Sequence, residues 1–117
     1  MNMVMLIGNL ASDVEVRDVR GERKVASFLL AVQRPGAEGK ADFVRIAAWN
    51  KQAEVCGRFL SKGRRVAVDG KLRTRSWDDA EGKRRSAVEV VANSIQFLSA
   101  PDAEASGADT PFEAAAA

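Results

Sequence analysis

The stretch Asp42-Phe43-Val44-Arg45-Ile46-Ala47-Ala48-Trp49-Asn50-Lys51-Gln52-Ala53-Glu54-Val55-Cys56-Gly57-Arg58-Phe59-Leu60-Ser61-Lys62-Gly63 changes its periodicity at the midpoint. Over 42–50 the side chains alternate. Val44, Ile46 and Ala48 fall on one side, and Phe43, Arg45, Ala47, Trp49 and Lys51 on the other, the period-two pattern of a half-buried strand. Over 51–62 the spacing lengthens: Val55 with Phe59, and Cys56 with Leu60, are four apart and set an apolar stripe along a helix. Asn50 reads as the N-cap of that helix, and Gly63 as the residue that stops it in the left-handed conformation. Phe59 is expected in the core.

Working outward, Met3–Leu10 is apolar and β-prone, and Val14 and Val16 continue its alternation. Arg20-Gly21-Glu22-Arg23 is a turn signal before a second strand over 24–34, whose run Ala26-Ser27-Phe28-Leu29-Leu30-Ala31-Val32 is apolar enough to place Phe28 in the core. A loop at 35–39 leads to the strand already described. Beyond the helix, 65–75 reads as a fourth strand, 78–82 as a polar turn and 85–98 as a fifth strand, with Phe97 in the core. Three strands, a helix, then two strands is the order of an OB-fold, an all-β five-stranded barrel with one helix. A small open meander shares that order on pattern alone.

Residues 1–99 read as one domain. From residue 100 onward the chain is almost wholly Ala, Ser, Gly, Pro, Asp, Glu and Thr, with Phe112 as its single aromatic. Such a segment buries too little surface to offset its ordering entropy, so 100–117 is expected to be a disordered acidic tail. Charge divides at the same point. All eighteen basic residues precede residue 99 together with twelve of the sixteen acids, so the body carries a formal +6 and the tail −4. A basic body implies a polyanionic partner, and an acidic tail a different one.

Composition excludes several chemistries. There is no histidine and one cysteine, Cys56, so the usual zinc ligand sets and His-dependent nucleophiles are absent. No metal, no cofactor and no catalytic residue is expected, and the chain reads as a non-enzyme. Cys56 cannot form an internal disulfide and reads as a small buried apolar residue in a reducing compartment. No apolar run is long enough to span a membrane, and the N-terminal residues do not form a secretory signal. A cytoplasmic protein, with no membrane partner, is the expectation.

Two strands carry rings and cations on one parity. In the third strand these are Phe43, Arg45 and Trp49; in the fourth, Lys71, Arg73, Arg75 and Trp77, opposite the apolar parity of Val66, Val68, Gly70 and Leu72. Burying Arg45 unpaired between Phe43 and Trp49 would cost several kcal/mol, so that face is expected to be open. Exposed rings amid cations suit single-stranded nucleic acid: bases stack on aromatics at roughly 1–3 kcal/mol each, and phosphates pair with Lys and Arg, making affinity fall with salt. The competing role for each ring is core or subunit interface. Arg17, Arg20 and Arg23 alternate with acids and read as ordinary solvated surface.

Several motifs now resemble a known family. Ile7-Gly8-Asn9-Leu10 with Asp13-Val14-Glu15-Val16-Arg17, then Leu60-Ser61-Lys62-Gly63-Arg64-Arg65-Val66, then Gly70-Lys71-Leu72-Arg73-Thr74-Arg75-Ser76-Trp77, resemble in unbroken order the bacterial single-stranded-DNA-binding proteins. The resemblance spans about residues 3–98. It implies an OB-fold that coats single-stranded DNA without catalysis during replication, recombination and repair, largely independent of sequence, as a homotetramer built from dimers, in the cytoplasm and associated with the nucleoid. It places base-stacking rings on Phe43, Trp49 and Trp77, the first two interchanged in type relative to the usual Trp and Phe. Phosphate contacts fall on Lys51, Lys62, Arg73 and Arg75. Strand parity and loop position add Arg34, Arg45, Arg84 and Arg85.

The sequence departs from the family twice. The loop Arg34-Pro35-Gly36-Ala37-Glu38-Gly39-Lys40 lacks the further Trp that relatives often carry there. The tail has Asp109-Thr110-Pro111-Phe112, similar to the family's acidic tip, but Glu113 and four alanines follow. Asp109, Pro111 and Phe112 are therefore candidates for recruiting replication and repair proteins, against an inert solubilising tail. Three other readings stand beside the main one: a protein-interaction module of the dimeric primosomal type, a specialised paralogue, and an RNA binder like the cold-shock domains.

Overall fold

In the computed structural model, which describes residues 1–99, the elements in chain order are β1 (Val4–Leu10), β2 (Glu15–Val19), β3 (Arg23–Gln33), β4 (Ala41–Trp49), α1 (Lys51–Phe59), β5 (Arg65–Asp78) and β6 (Arg84–Ser99). The tail expected over 100–117, with Asp109, Pro111 and Phe112, lies outside the described residues. Five strands close into a ring. β1 pairs with β5, β5 with β6, β6 in parallel with β4, β4 with β3, and β3 returns to β1 at Asn9 opposite Ala31 and Leu10 opposite Leu30. This closed ring with one helix after its β4 strand is the OB-fold. β2 stands outside the ring, paired only with β3.

Alternation explains the core. Along β3 and β4 the opposed pairs Phe28 and Ile46, Ala26 and Ala48, and Leu30 and Val44 point inward. There they meet Leu10, Val66, Val68 and Val90, all but wholly buried. Each fully buried Leu, Ile or Val contributes about 1.5–3 kcal/mol, so the inward parity carries most of the stability. α1 covers the barrel with Ala53 and Cys56, and Leu60 follows them into the interior.

Ring closure demands close backbone approach at two places. A Cβ on Gly8 would collide with the carbonyl oxygen of Ala31, and one on Gly70 with that of Val91. Gly70 also sits at a bulge, where Asp69 pairs with Ser94 but Gly70 with Ala92. Pairing of β5 with β1 ends at Gly70 and that of β6 with β4 at Val90, and past these points β5 and β6 leave the barrel as a two-stranded ribbon. Residues 71–78 and 84–86 are exposed on both of its faces.

Four expectations need correction. The first strand is two pieces, because the chain bends between Leu10 and Glu15 and only then resumes along β3. α1 stops at Phe59, not at Lys62. Leu60 is already extended, because the next residues are drawn into pairing with β1: Gly63 N–H donates to Leu10 C=O (2.9 Å) and Leu10 N–H to Arg64 C=O (2.8 Å). Gly63 has the left-handed φ of 97°, but in the turn beyond the helix. Asn50 precedes α1 without capping it. Its φ of 56° redirects the chain, and its side-chain oxygen accepts from Lys24 N–H instead. The apolar stripe is also offset: Val55 and Phe59 are exposed, Phe59 touching half-buried Phe97 at 6.4 Å between ring centres. Leu72, on the apolar parity of β5, is exposed because the pairing of β1 with β5 ends at Gly70.

Two tests follow from the packing. Gly70→Ala should lower stability by about 1–3 kcal/mol, the usual cost of overpacking against a backbone that cannot retreat; an unchanged denaturation midpoint would contradict the close approach. Burial pushes the Cys56 thiol up from 9.0 to about 11. The folded state thus favours the neutral thiol, and its contribution is complete below pH 9 and lost as pH rises toward 11. Urea melts of wild type and Cys56→Ala across that range should converge as pH rises. A constant difference would place the thiol in water.

Candidate nucleic-acid interface

The register sorts the side chains into two sheets of contacts, one inside and one outside. On the outer side of β4 lie Phe43, Arg45, Ala47 and Trp49, facing Ala31, Leu29, Ser27 and Val25 of β3 across the ladder. Ala47 pairs with Val91 of β6, and Val91 with Lys71 of β5. The same side therefore continues onto Lys71, Arg73, Arg75 and Trp77, opposed by Val91, Glu89, Ala87 and Arg85. The ladder thus carries both ring-and-cation parities onto one side of the molecule.

The rings differ in exposure. Phe43 is 64% exposed and Trp77 42%, whereas Trp49 is half-buried. Ala47 is buried between them, so the face is a set of platforms around a filled centre. Arg45 is half-buried and meets its polar need on the Ser27 hydroxyl at 3.4 Å. Arg75 lies over the Trp77 ring at 5.2 Å from its centre, and Arg23 over Trp49 at 5.5 Å. A cation on one face of an indole leaves the other face for a flat ligand.

The remaining cations separate by what they already hold. Arg34 pairs with Asp42 at 2.9 Å, and that carboxylate raises the guanidinium's pKa through its hydrogen bond and its charge. Arg84 pairs with Asp78 at 3.6 Å and Arg85 with Asp79 at 2.9 Å. Asp79 ties the ribbon's turn together, accepting also from the backbone N–H groups of Lys83 and Glu81, and its pKa is lowered, first by Arg85 and then by Lys83. Among the described residues, Lys51, Lys62, Lys71 and Arg73 form no ion pair, so their charge is uncompensated locally.

Placement departs from the expectation at two lysines. Lys51 does not continue the alternation of β4, because the backbone turns at Asn50 and makes it the first residue of α1. Lys62 lies in the turn after α1, its N–H held by Asp13 at 2.9 Å, beside the sheet rows and not on them. Two outer-face residues escape the sequence reading. Leu29, 38% exposed opposite Arg45, was hidden in an apolar run, although the parity of β3 distinguishes it from Phe28 and Leu30. Arg23 was masked by the acids around it.

A closed five-stranded barrel whose one outer side gathers three rings among cations is a domain of the OB class. Within that class the chain belongs to the single-strand binding protein family, whose model matches residues 1–98. A single-stranded DNA-binding protein of Halalkalibacterium halodurans is 41% identical over 111 residues, covering 92% of this chain and 66% of that protein. Single-stranded DNA-binding protein 1 of Staphylococcus aureus is 46% identical over 102 residues, 84% of this chain and 65% of that one. Single-stranded DNA-binding protein 1 of Chlorobaculum tepidum is 36% identical over 119 residues, 96% and 74%. The chain spans about two thirds of the length of the first two.

Proposed function

We propose that this protein binds and coats single-stranded DNA, largely without regard to sequence, and acts in replication, recombination and repair as a non-enzymatic partner of the exposed strand. The observation that carries this reading is the shared outer side of β4 and β5, where Phe43, Trp49 and Trp77 stand beside Arg45, Lys71, Arg73 and Arg75. Duplex DNA hides the faces of its bases, whereas a single strand offers both bases and phosphates to such a surface. Family membership and the names of the relatives point the same way.

The weight of each cation in this reading follows its surroundings. Lys71 and Arg73 are ready for phosphate, as are Lys51 and Lys62 at the margins. Arg75 supports the Trp77 platform. Arg34, Arg84 and Arg85 must exchange a carboxylate for a phosphate and contribute less. Recruitment of other replication and repair proteins falls to the acidic tail with Asp109, Pro111 and Phe112. No helix among the described residues is long and apolar enough to cross a membrane, and we place the protein in the cytoplasm with the nucleoid.

A homotetramer, formed as a dimer of dimers, is part of the proposal. Val4–Gly8 of β1 pair with β5 on one side only, and Met3, Met5 and Ile7 are 72%, 75% and 53% exposed beside that open edge. An edge so apolar calls for cover, and a second copy of the same strand supplies it.

Trp49→Ala and Trp77→Ala should each weaken binding to oligo-dT roughly ten- to a hundredfold, as expected for 1–3 kcal/mol per stacked base, with the thermal melt little changed. A double variant that binds like wild type would remove the rings from the site. Sedimentation should show four chains for wild type and a smaller species for Met5→Glu with Ile7→Glu; a monomeric wild type would refute the assembly.

A further inference from the structure

The run Glu15-Val16-Arg17-Asp18-Val19 followed by Arg23-Lys24 looks electrically mixed in sequence, but the strand pleat separates its charges. In the β2–β3 ladder, Arg17 stands opposite Val25, and Val25 opposite Trp49 on β4. Directly opposed residues share a side of the sheet, so Arg17, Val25 and Trp49 form one row on the outer side. Arg23 has the same parity as Val25 and reaches over the Trp49 ring. The other parity points the opposite way, toward the helix. Lys24 reaches Glu54 of α1 at 3.6 Å, and Asp18 is the ladder partner of Lys24. Val16 packs beside Gly57, where an added Cβ would come within 2.6 Å of its methyl group.

The outer side of β2 and the end of β3 therefore hold two arginines, while Asp18 and Lys24 lie on the helix side. Glu15 is the one acid of β2 on the outer parity. Neither arginine is neutralised: among the described residues, Arg17 and Arg23 form no ion pair, and both are exposed. Val25 between them is 7% exposed, so the row from Trp49 to Arg17 is continuous and filled. Two strand spacings, about 10 Å, separate its ends. This is a stacking platform followed by two positive groups on a smooth path.

From this geometry we infer that the binding path for single-stranded nucleic acid extends past Trp49, over Val25, onto β2, where Arg17 and Arg23 take two further phosphates. The inference rests on the proposed single-strand binding and assigns a function to residues outside the expected site. The dangling β2 strand, which contributes nothing to closing the ring, is then a ledge that lengthens the track.

Salt-dependent titration of the full chain with oligo-dT tests it. Each phosphate contact on a single strand contributes about 0.7 to the slope of log affinity against log salt, so Arg17→Ala with Arg23→Ala should flatten the slope by about 1.4. Lys24→Ala removes a like charge from the helix side and should leave the slope unchanged. Arg17→Lys with Arg23→Lys should keep it near wild type. An unaltered slope in the double alanine variant, or an equal loss in Lys24→Ala, overturns the inference. If wild type itself bound oligo-dT without salt dependence, the parent reading would fall instead, so the two failures are separable.

Discussion

Strand side chains alternate, and a ring of strands has only one inside. Once β1, β3, β4, β5 and β6 close on themselves, every second residue must be apolar enough to fill the interior, and every other residue is turned outward. The positions of the rings and cations follow from this constraint. Phe43, Trp49 and Lys71 are outside because Val44, Ala48 and Leu30 must be inside. Closure in turn depends on two backbone crossings that tolerate nothing larger than glycine, at Gly8 and Gly70. The chemistry of the outer side is thus set by geometry at positions that carry no side chain.

Much of this was legible from period alone. The switch from two to nearly four residues at Asn50 located the helix between the right strands, and the parities of 43–49 and 71–77 anticipated which side chains share a side. Reading failed where a tertiary pairing overrode a local preference. Ser61 to Gly63 suit a helix end, but hydrogen bonds between Leu10 and the Gly63–Arg64 turn pull the chain straight from Leu60. Leu72 has the parity of Val66 and Val68, but β1 stops pairing with β5 at Gly70 and leaves it exposed, and no alternation rule shows where a neighbouring strand ends. Val55 and Phe59 are spaced like core residues, yet the helix is rotated to bury Ala53 and Cys56. Small residues lie closest to the barrel, where a phenylalanine would not fit.

The charges show a similar limit. In a linear reading, acids beside arginines nearly cancel, and 15–24 carries only a formal +1. In a sheet, neighbours in sequence face apart and neighbours across the ladder face together, so Arg17 is close to Val25 and remote from Asp18. Cancellation occurs instead where a turn brings charges together, as at Asp79, which accepts from Arg85 and two backbone N–H groups. The shortest ion pairs, Arg34 with Asp42 and Arg85 with Asp79, lie at loops and ribbon ends, whereas Lys71 and Arg73 on the sheet form none among the described residues.

The ribbon formed by the outer halves of β5 and β6 has both faces in solvent, without a second layer behind it. Two-stranded ribbons twist more freely than packed sheets. Trp77 is therefore mounted on a lever that starts past the Leu72–Val90 pair, the last that β4 still holds, whereas Phe43 and Trp49 are bolted to the barrel wall. A polymer spanning all three, as proposed, would be gripped between a fixed jaw and a swinging one, and a ligand too short to reach the lever would feel only half of the clamp.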